Sequence, residues 1–406
     1  MFRFILILFC LFSSILFSQN IKTVQLRALG KDNQSTIVPL GTILEFSFDD
    51  LEADVKDYQY KIEHMTHDWQ KSKLLASQFI DGFDQNTIID VTNSFNTFQS
   101  YSHYSVKIPN INTVITKSGN YLISVLDSYD NVIFSRKFVY YEELTNVGVA
   151  VSRSRNTKTL DTQQTLEFFV SHPKLRINNP QQELNIVLIK NENWGNTITN
   201  LQPTFFQQNL LKYTYSNKTN FNGGNEYLNF DSKIIRNKSV NIVKVEQKNR
   251  DVFHHYIYPY EYKSNSKYSY NPDINGQFII RTLEGNDSST EADYAMMHFT
   301  LNCETPFLDK EVYIYGAFNN FGLETENKMQ YDFSEKAYKG KVLLKQGFYN
   351  YKYVTLNKYD ELNEDEILGN FFQTENEYKV IVYFKASGSL YDRVVGIGTS
   401  VFNADK

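Results

Sequence analysis

The chain has 406 residues, of which 41 are Lys or Arg and 46 are Asp or Glu, so its net charge is −5 at pH 7. This mildly acidic balance contains no basic block and argues against a nucleic-acid partner. The length predicts roughly two to four domains, and the 31 Phe and 29 Tyr favour sheet, because aromatic side chains suit a half-buried pleated surface.

The first eighteen residues have the pattern of a secretory signal. Arg3 precedes an apolar run over residues 4–12, and Ser18 is the small residue before the expected cleavage point. The run is shorter than the about 20 apolar residues of a membrane-spanning helix, so we expect an exported, soluble mature protein. Cys10 lies too early in the run for a lipid anchor. Only Cys303 remains after cleavage, which excludes an intrachain disulfide.

Alternation of apolar and polar residues predicts strands along the chain, and no amphipathic helix of three turns is evident. The alternating apolar positions, in chain order, are Tyr58, Tyr60 and Ile62; Tyr104, Val106 and Ile108; Val312 and Ile314; Tyr349, Tyr351 and Tyr353; and Val380, Val382 and Phe384. Many short strands at this spacing predict an all-β protein made of tandem immunoglobulin-like β-sandwich domains.

Two polar stretches predict the domain boundaries. Residues 152–161 follow a strand that ends near Tyr141, and residues 283–291 form a second polar linker. We therefore expect four segments, which are a signal peptide over 1–18, an N-terminal sandwich over 19–145, a middle sandwich over 146–290 and a C-terminal immunoglobulin-like domain over 291–406.

Candidate metal-binding residues are few, and each has an ordinary structural interpretation. His64 and His67 are separated by three positions along a strand pattern, so their side chains point to opposite faces, which favours a hydrogen-bonded turn histidine. The adjacent pair His254-His255 diverges for the same reason. The acidic segment 360–366 lacks the glycine at the sixth position of a calcium loop and is interpreted as a solvated loop.

Catalytic motifs are absent from the sequence. There is no Gly-x-Ser-x-Gly elbow, no phosphate-binding glycine loop and no His-Glu-x-x-His. Gly223-Gly224 is too short for a nucleotide loop and is interpreted as a tight turn. The sequence therefore predicts a protein that is not an enzyme and has neither a cofactor nor a metal site.

Residues 312–354 resemble early-set immunoglobulin-like modules, which include glycogen- and starch-binding domains. The similarity rests on Gly316-Ala317-Phe318-Asn319 at the end of a strand and on Gly347-Phe348-Tyr349-Asn350-Tyr351-Lys352 in a later hairpin. Phe321 stands where those modules carry tryptophan, and both tryptophans of the chain lie outside the module. We therefore expect no binding of glycogen, starch or cyclodextrins. A glycan-binding or glycan-anchoring envelope protein is the alternative function.

An ordered set of short motifs, spread from about residue 58 to residue 393, resembles the plug proteins of the type IX secretion system. The motifs are Tyr60-Lys61-Ile62-Glu63-His64 with Trp69, Asp81-Gly82-Phe83, Ser94-Phe95-Asn96-Thr97, Lys117-Ser118-Gly119-Asn120-Tyr121, Leu201-Gln202-Pro203-Thr204-Phe205, Gly223-Gly224-Asn225-Glu226, Asp273-Ile274-Asn275-Gly276, Glu291-Ala292-Asp293-Tyr294, Gly369-Asn370, Thr374-Glu375-Asn376 and Tyr391-Asp392-Arg393. The resemblance implies a periplasmic protein, associated with the outer membrane through the translocon barrel, that closes the barrel's pore in the absence of cargo.

Two of these motifs supply our candidate partner-binding residues, namely Asp81, Gly82, Phe83, Gly224, Asn225 and Glu226. At other motif positions a structural role is the first expectation. We interpret Gly82, Gly119 and Gly224 as turn formers, and we expect Trp69, Phe83 and Tyr121 to belong to the core rather than to an interface.

Overall fold

A computed structural model describes residues 20–30, 34–248, 251–263 and 267–403. The expected signal peptide lies outside the described residues. The chain is 48% strand and 3% helix, which confirms the all-β class. Among the described residues the helical elements are short: α1 (Pro180–Glu183) and 3-10 turns at Ala76–Gln78, Ala317–Asn319 and Thr325–Asn327. Within the described ranges no helix is both long and apolar enough to cross a membrane.

The first eleven strands form the N-terminal unit, a sandwich of a four-stranded and a five-stranded sheet. They are β1 (Ile21–Ala28), β2 (Ile37–Pro39), β3 (Leu44–Asp50), β4 (Gln59–Met65), β5 (Ile80–Gly82), β6 (Gln85–Thr87), β7 (Asp90–Asn93), β8 (Ser102–Ile108), β9 (Thr113–Ile115), β10 (Gly119–Leu126) and β11 (Val132–Tyr141). The sheets run β1-β3-β8-β7 and β2-β11-β10-β4-β6, and β5 pairs separately with β9. The six alternating residues predicted on β4 and β8 and just before β4 are all buried, which confirms both strand predictions.

The next seven strands begin the middle unit. They are β12 (Asn146–Arg153), β13 (Gln163–Ser171), β14 (Leu184–Lys190), β15 (Thr197–Ile198), β16 (Phe205–Gln207), β17 (Leu210–Tyr213) and β18 (Asn220–Asn222). Most of them form one sheet in the order β12-β13-β17-β16, with β18 added beside β13, while β14 and β15 belong to a second sheet.

The third unit is an eleven-stranded sheet that encloses one large core. Its strands are β19 (Leu228–Asp231), β20 (Ile242–Gln247), β21 (Phe253–Ile257), β22 (Tyr260–Glu261), β23 (Phe278–Ile280), β24 (Tyr294–Asn302), β25 (Lys310–Tyr315), β26 (Lys328–Asp332), β27 (Ala337–Lys345), β28 (Gly347–Asn357) and β29 (Leu362–Asn363). Its main order is β19-β28-β25-β26-β27-β24-β21-β20. The alternating residues predicted on β25 and β28 are buried in this core, as expected.

The last two strands, β30 (Asn376–Phe384) and β31 (Arg393–Phe402), return to the middle unit. β30 pairs with β14 from Leu184↔Phe384 to Lys190↔Tyr378, and β31 pairs with β30. The residues predicted to alternate on β30 are buried between the two sheets of this unit.

The sheets do not divide the chain at the boundary expected near residue 290. Strands before that point belong to the third unit, since β21 pairs with β24 at Phe253↔Ala295, whereas the end of the chain belongs to the middle unit. Alternation identifies a strand and its buried face but carries no information on which strand becomes its partner. We propose units over residues 20–142, over 143–222 with 376–403, and over 227–370, so that the third unit is inserted into the middle one.

Candidate functional site

A buried ion pair joins the N-terminal unit to the third unit. Lys345 Nζ lies 2.7 Å from Asp49 Oδ2, and the Tyr294 hydroxyl donates to the same oxygen at 2.6 Å. His103 Nδ1 lies 2.6 Å from Asp49 Oδ1. Burial raises the pKa of Asp49, but the nearby Lys345 and His103 outweigh it and hold the pKa below its ordinary value. The carboxylate is therefore ionised inside the joint.

Two family motifs meet beside this ion pair. The Asp293 carboxylate accepts hydrogen bonds from the backbone N–H of Phe98 at 2.6 Å and of Gln99 at 3.1 Å. The backbone N–H of Phe95 donates to the Thr290 carbonyl at 3.0 Å. The loop of the N-terminal unit that follows β7 is thereby fixed to the segment that precedes β24.

A second joint connects the N-terminal unit to the middle unit. Asp392 accepts from the backbone N–H of His67 at 3.0 Å, and the Arg393 guanidinium lies 2.7 Å from the Glu142 carboxylate. Trp69 and Trp194 pack edge to face with ring centroids 4.7 Å apart. Trp69, expected in the core, is therefore half-buried between units rather than inside one.

The candidate residues Gly224 and Asn225 lie in a third joint, between the middle and third units. Asn370 Oδ1 accepts from the Gly224 N–H at 2.9 Å, and the Thr374 hydroxyl donates to the Gly224 carbonyl at 2.8 Å. Asn225 Nδ2 donates to the Leu368 carbonyl at 2.7 Å. One connection between these units contains Gly224 and Asn225, and the other contains residues 368–374. Hydrogen bonds join the two connections here, so these motif residues hold the units together.

Glu226, the third candidate in this motif, is a buried carboxyl in the same joint. Its Oε1 accepts from the Tyr268 hydroxyl at 2.7 Å and from the Glu375 N–H at 3.1 Å. Burial raises the pKa of Glu226 to about 7, against the lowering effect of these two hydrogen bonds. Between pH 4.5, the ordinary pKa of a glutamate side chain, and about pH 7, the folded protein therefore keeps a proton on Glu226 that the unfolded chain has released.

Replacing Glu226 should change stability in a pH-dependent way. Because the folded pKa is raised, the contribution of Glu226 to stability is present at pH 5 and lost as the pH rises through about 7. We expect Glu226→Gln to raise Tm by a few degrees at pH 8 and to leave it nearly unchanged at pH 5, measured by thermal unfolding. The exposed Glu143→Gln is the control and should change neither value. A lower Tm for Glu226→Gln at both pH values would contradict the assignment.

The candidates Asp81, Gly82 and Phe83 lie on the surface. Gly82 has φ +103°, and a Cβ there would lie 2.2 Å from the Asn112 carbonyl oxygen, so only glycine fits. Asp81 pairs with Val114 across β5 and β9. Gly82 and Gly224, which has φ +73°, thus have the positive φ values that favour glycine, although Gly82 is the last residue of β5 and does not lie in a turn.

Phe83 departs from the expectation that it is a core residue. It is 68% exposed, and its backbone N–H donates to the Asn112 carbonyl at 2.8 Å. In the segment around Asn112, Ile111 is 98% exposed and Val114 is 39% exposed. The alternation of β5 explains the difference, because Ile80 points into the core and the outward positions fall on Asp81 and Phe83. We call Phe83, Ile111 and Val114 the docking face. By contrast Tyr121 is fully buried, as expected.

Sequence reasoning missed Ile111 and Val114. Ile111 lies between Asn110 and Asn112, and an apolar residue enclosed by turn-forming asparagines is the pattern that identifies an exposed apolar side chain. The buried pair Asp49 and Lys345 was missed as well, because no local pattern marks two charges that meet across 296 residues.

The histidines considered as metal ligands have other partners. Burial lowers the pKa of His64 to about 4, and its ring packs 5.1 Å from Tyr121. His254 Nδ1 lies 2.8 Å from His298 Nε2, whereas His255 Nε2 lies near a backbone carbonyl, so the adjacent rings diverge. In the part of the chain that the structure describes, no three His, Cys, Asp or Glu side chains are grouped to bind a metal.

Phe321, at the position of the sugar-stacking tryptophan, faces the interior of the molecule. Its ring packs 5.2 Å from Tyr315, and Asn193 of the middle unit donates to the Tyr315 hydroxyl at 3.0 Å. Phe321 also lines a cavity whose other walls include residues of the N-terminal and middle units. A long polysaccharide would need those units to move before it reached this ring.

We predict that the full-length protein binds neither starch, glycogen nor cyclodextrins. The expected platform is a phenylalanine instead of an indole, and the neighbouring units cover it. Calorimetry with β-cyclodextrin and soluble starch should show no heat of binding. Binding at millimolar concentration or tighter that Phe321→Ala abolishes would establish the glycan-binding alternative instead.

Comparison with known proteins finds a family and a solved structure that are similar to this chain. The family described as type 9 secretion system plug protein 1st domain matches residues 21–142, the segment from β1 to the end of β11. The chain belongs to the type 9 secretion system plug protein family. A crystal structure of a hypothetical protein from Parabacteroides merdae has a TM-score of 0.90 and 33% sequence identity to this plug-family chain, covering 95% of this chain and 98% of that one.

Two further comparisons add nothing to this assignment. The BSP domain of a biofilm associated protein has a TM-score of 0.17 and 7% identity to the plug-family chain, covering 94% of it and 59% of that domain, which is too low to carry an argument. No curated protein matches the chain. The plug family is a non-catalytic kind of protein associated with a secretion system of the cell envelope.

Proposed function

We propose that this plug-family protein binds the periplasmic end of the outer-membrane translocon of its secretion system and closes the pore when no cargo occupies it. It acts as an obstruction, without catalysis, after export by its signal peptide. The observation that carries the proposal is an exposed apolar docking face, within the matched plug-family domain, on a body whose three units are fixed to one another.

The joints between units support a plugging role. A barrel that passes folded proteins is wider than barrels whose lumen already needs a plug, so its closure requires a protein-sized body. If the units moved relative to one another at their linkers, gaps would open between the protein and the barrel wall, and the pore would leak. Here the ion pair Asp49–Lys345, the carboxylate of Asp293 and the Gly224 joint each bind two units together through buried contacts. Such joints keep three units acting as one obstruction.

The docking face supports a reversible contact with the barrel. Val114 lies on β9, Phe83 directly follows β5 and Ile111 lies shortly before β9, so three exposed apolar residues are carried by these two paired segments. Stable association needs about 1,000 Å² of buried surface in total, so this face is the apolar centre of a larger interface with a polar rim. A small apolar centre within a polar rim permits release when cargo arrives.

The docking face can be tested by replacing two exposed side chains. Phe83→Ser with Ile111→Ser should reduce co-purification with the translocon barrel by about tenfold or more, because a few apolar anchors dominate an interface. Leu308→Ser, 83% exposed on the third unit, is the matched control and should co-purify as wild type does. If the double variant remains bound as strongly as the control, the docking face is not the contact surface.

A further inference from the structure

We propose that the cavity where the three units meet is a binding site for a small carboxylic acid with an aromatic or aliphatic body. The cavity has a volume of about 570 Å³, within the range of roughly 300–1,000 Å³ that is typical of small-molecule sites. Its walls comprise β1 and β11 of the N-terminal unit, residues 192–195 of the middle unit, and residues 315–323 of the third unit. We call it the junction cavity.

Two cationic residues of β11 are among the walls of the junction cavity, and as neighbours on a strand their side chains point to opposite faces. The Arg136 guanidinium donates to the Ser135 carbonyl at 2.9 Å. The described residues show no salt bridge to it, although the negative charge of Glu324 is near enough to act on it. Lys137 lies 4.6 Å above the Trp69 ring and likewise has no carboxylate partner in the described ranges. Burial lowers the pKa of Arg136 to about 10, so the group remains charged at neutral pH. A guanidinium with free N–H groups binds a carboxylate through two parallel hydrogen bonds.

The acidic side chain among the cavity walls is already engaged by other groups. The Glu192 carboxylate is bound by the Lys379 ammonium and the Ser35 hydroxyl, and it accepts from the Thr36 N–H at 3.0 Å. It therefore does not neutralise Arg136. The cavity as a whole favours an anionic ligand.

A second polar group, independent of the arginine, points to the same ligand. Gln25 is only 8% exposed and lines the cavity, and its Nε2 has no hydrogen-bond partner among the described residues. A buried amide donor without an acceptor is costly, and a carboxylate oxygen in the cavity satisfies it once the Gln25 side chain turns, because Nε2 has almost no accessible surface as it stands. Arg136 and Gln25 thus line one cavity, in which the Gln25 amide nitrogen has no acceptor among the described residues and Arg136 donates to the Ser135 carbonyl.

The remaining walls define the body of the ligand. Trp194, Phe278, Tyr315, Phe321 and Leu323 present aromatic and aliphatic surface to the cavity. This surface excludes a fully hydrated dianion such as inorganic phosphate and favours a carboxylate attached to an apolar group. A ligand in the cavity would contact all three units, so its binding should raise Tm. The inference does not depend on the plugging role.

The test uses the full-length protein with 4-phenylbutyrate and decanoate as probes and their primary amides as neutral controls. Calorimetry and thermal unfolding should show that both acids bind and raise Tm, and that the amides bind at least about tenfold more weakly, because a hydrogen bond to a charged group is lost. Arg136→Met should weaken acid binding by about tenfold or more. The exposed Arg176→Met removes the same charge elsewhere and should bind the acids as wild type does.

Three results would overturn the proposal. They are the absence of a Tm increase with either acid at millimolar concentration, equal binding of acid and amide, and acid binding that Arg136→Met leaves unchanged. If Arg136→Met does not fold, Gln25→Leu gives the same comparison, with weaker acid binding expected. A peptide with a free C-terminus that binds when neither small acid does would assign the cavity to a chain terminus and exclude the small-acid ligand.

Discussion

Loss of this protein is expected to make the outer membrane permeable to large antibiotics as long as the translocon barrel is present. A barrel without its obstruction is an open pore far wider than those that need a plugged lumen. The minimum inhibitory concentration of an antibiotic too large for ordinary porins should therefore fall sharply in the deletion strain. Restoring the wild-type protein should restore the barrier.

The double deletion decides whether the barrel is the route of entry. Removing the barrel together with this protein should return permeability to the wild-type level, because no pore remains to be closed. The Phe83→Ser, Ile111→Ser double variant should resemble the single deletion, and Leu308→Ser should resemble wild type. Unchanged permeability in the single deletion, with a barrel that purifies without this protein, would contradict the plugging role.

Breaking the buried ion pair between the N-terminal and third units should have the largest effect on stability. Lys345 and Asp49 are 1% and 0% exposed, so Lys345→Met leaves a buried carboxylate without its ammonium partner. We expect the free energy of unfolding in urea to fall by about 3–5 kcal/mol. The matched control Lys336→Met breaks the exposed pair with Glu304 and should cost at most about 1 kcal/mol.

The effect of the ion pair should depend on the charge of Asp49 in two measurable ways. Because the pKa of Asp49 is lowered in the fold, its contribution to stability is present at neutral pH and is lost as the pH falls below the ordinary value of 3.8. Replacing both partners, as in Asp49→Leu with Lys345→Met, removes the unpaired charge and should recover much of the loss. A double variant as unstable as Lys345→Met alone would show that packing, and not charge, dominates this joint.

The strands were predictable because burial of one face imposes a period of two. Tyr58, Tyr60 and Ile62 alternate in the sequence and are all buried, and Tyr349, Tyr351 and Tyr353 behave in the same way. The all-β class follows from such segments and is confirmed. Burial of one face says nothing about which neighbour supplies the hydrogen bonds, so the pairing of β14 with β30 was not predictable.

The candidate site was predictable only in part. The motif that contains Phe83 was recognised, but its exposure depends on the register between β5 and β9, which a local pattern does not give. Gly224 was recognised as a turn former, whereas its contacts with Asn370 and Thr374 cross 146 and 150 residues. Long-range polar contacts of this kind are not visible in a local pattern, because nothing in the segment of one partner indicates where in the chain the other partner lies.

The pairing of β14 with β30 imposes an order on folding. β14 acquires this neighbour only when residues 376–384 have become available, whereas the strands of the N-terminal and third units are each continuous in sequence. Until then, the apolar edge of β14 is an aggregation-prone template that a periplasmic chaperone would need to shield. Loss of the last 30 or so residues would thus leave the sheet of β14 and β15 without β30 and β31, although the rest of the chain had already folded.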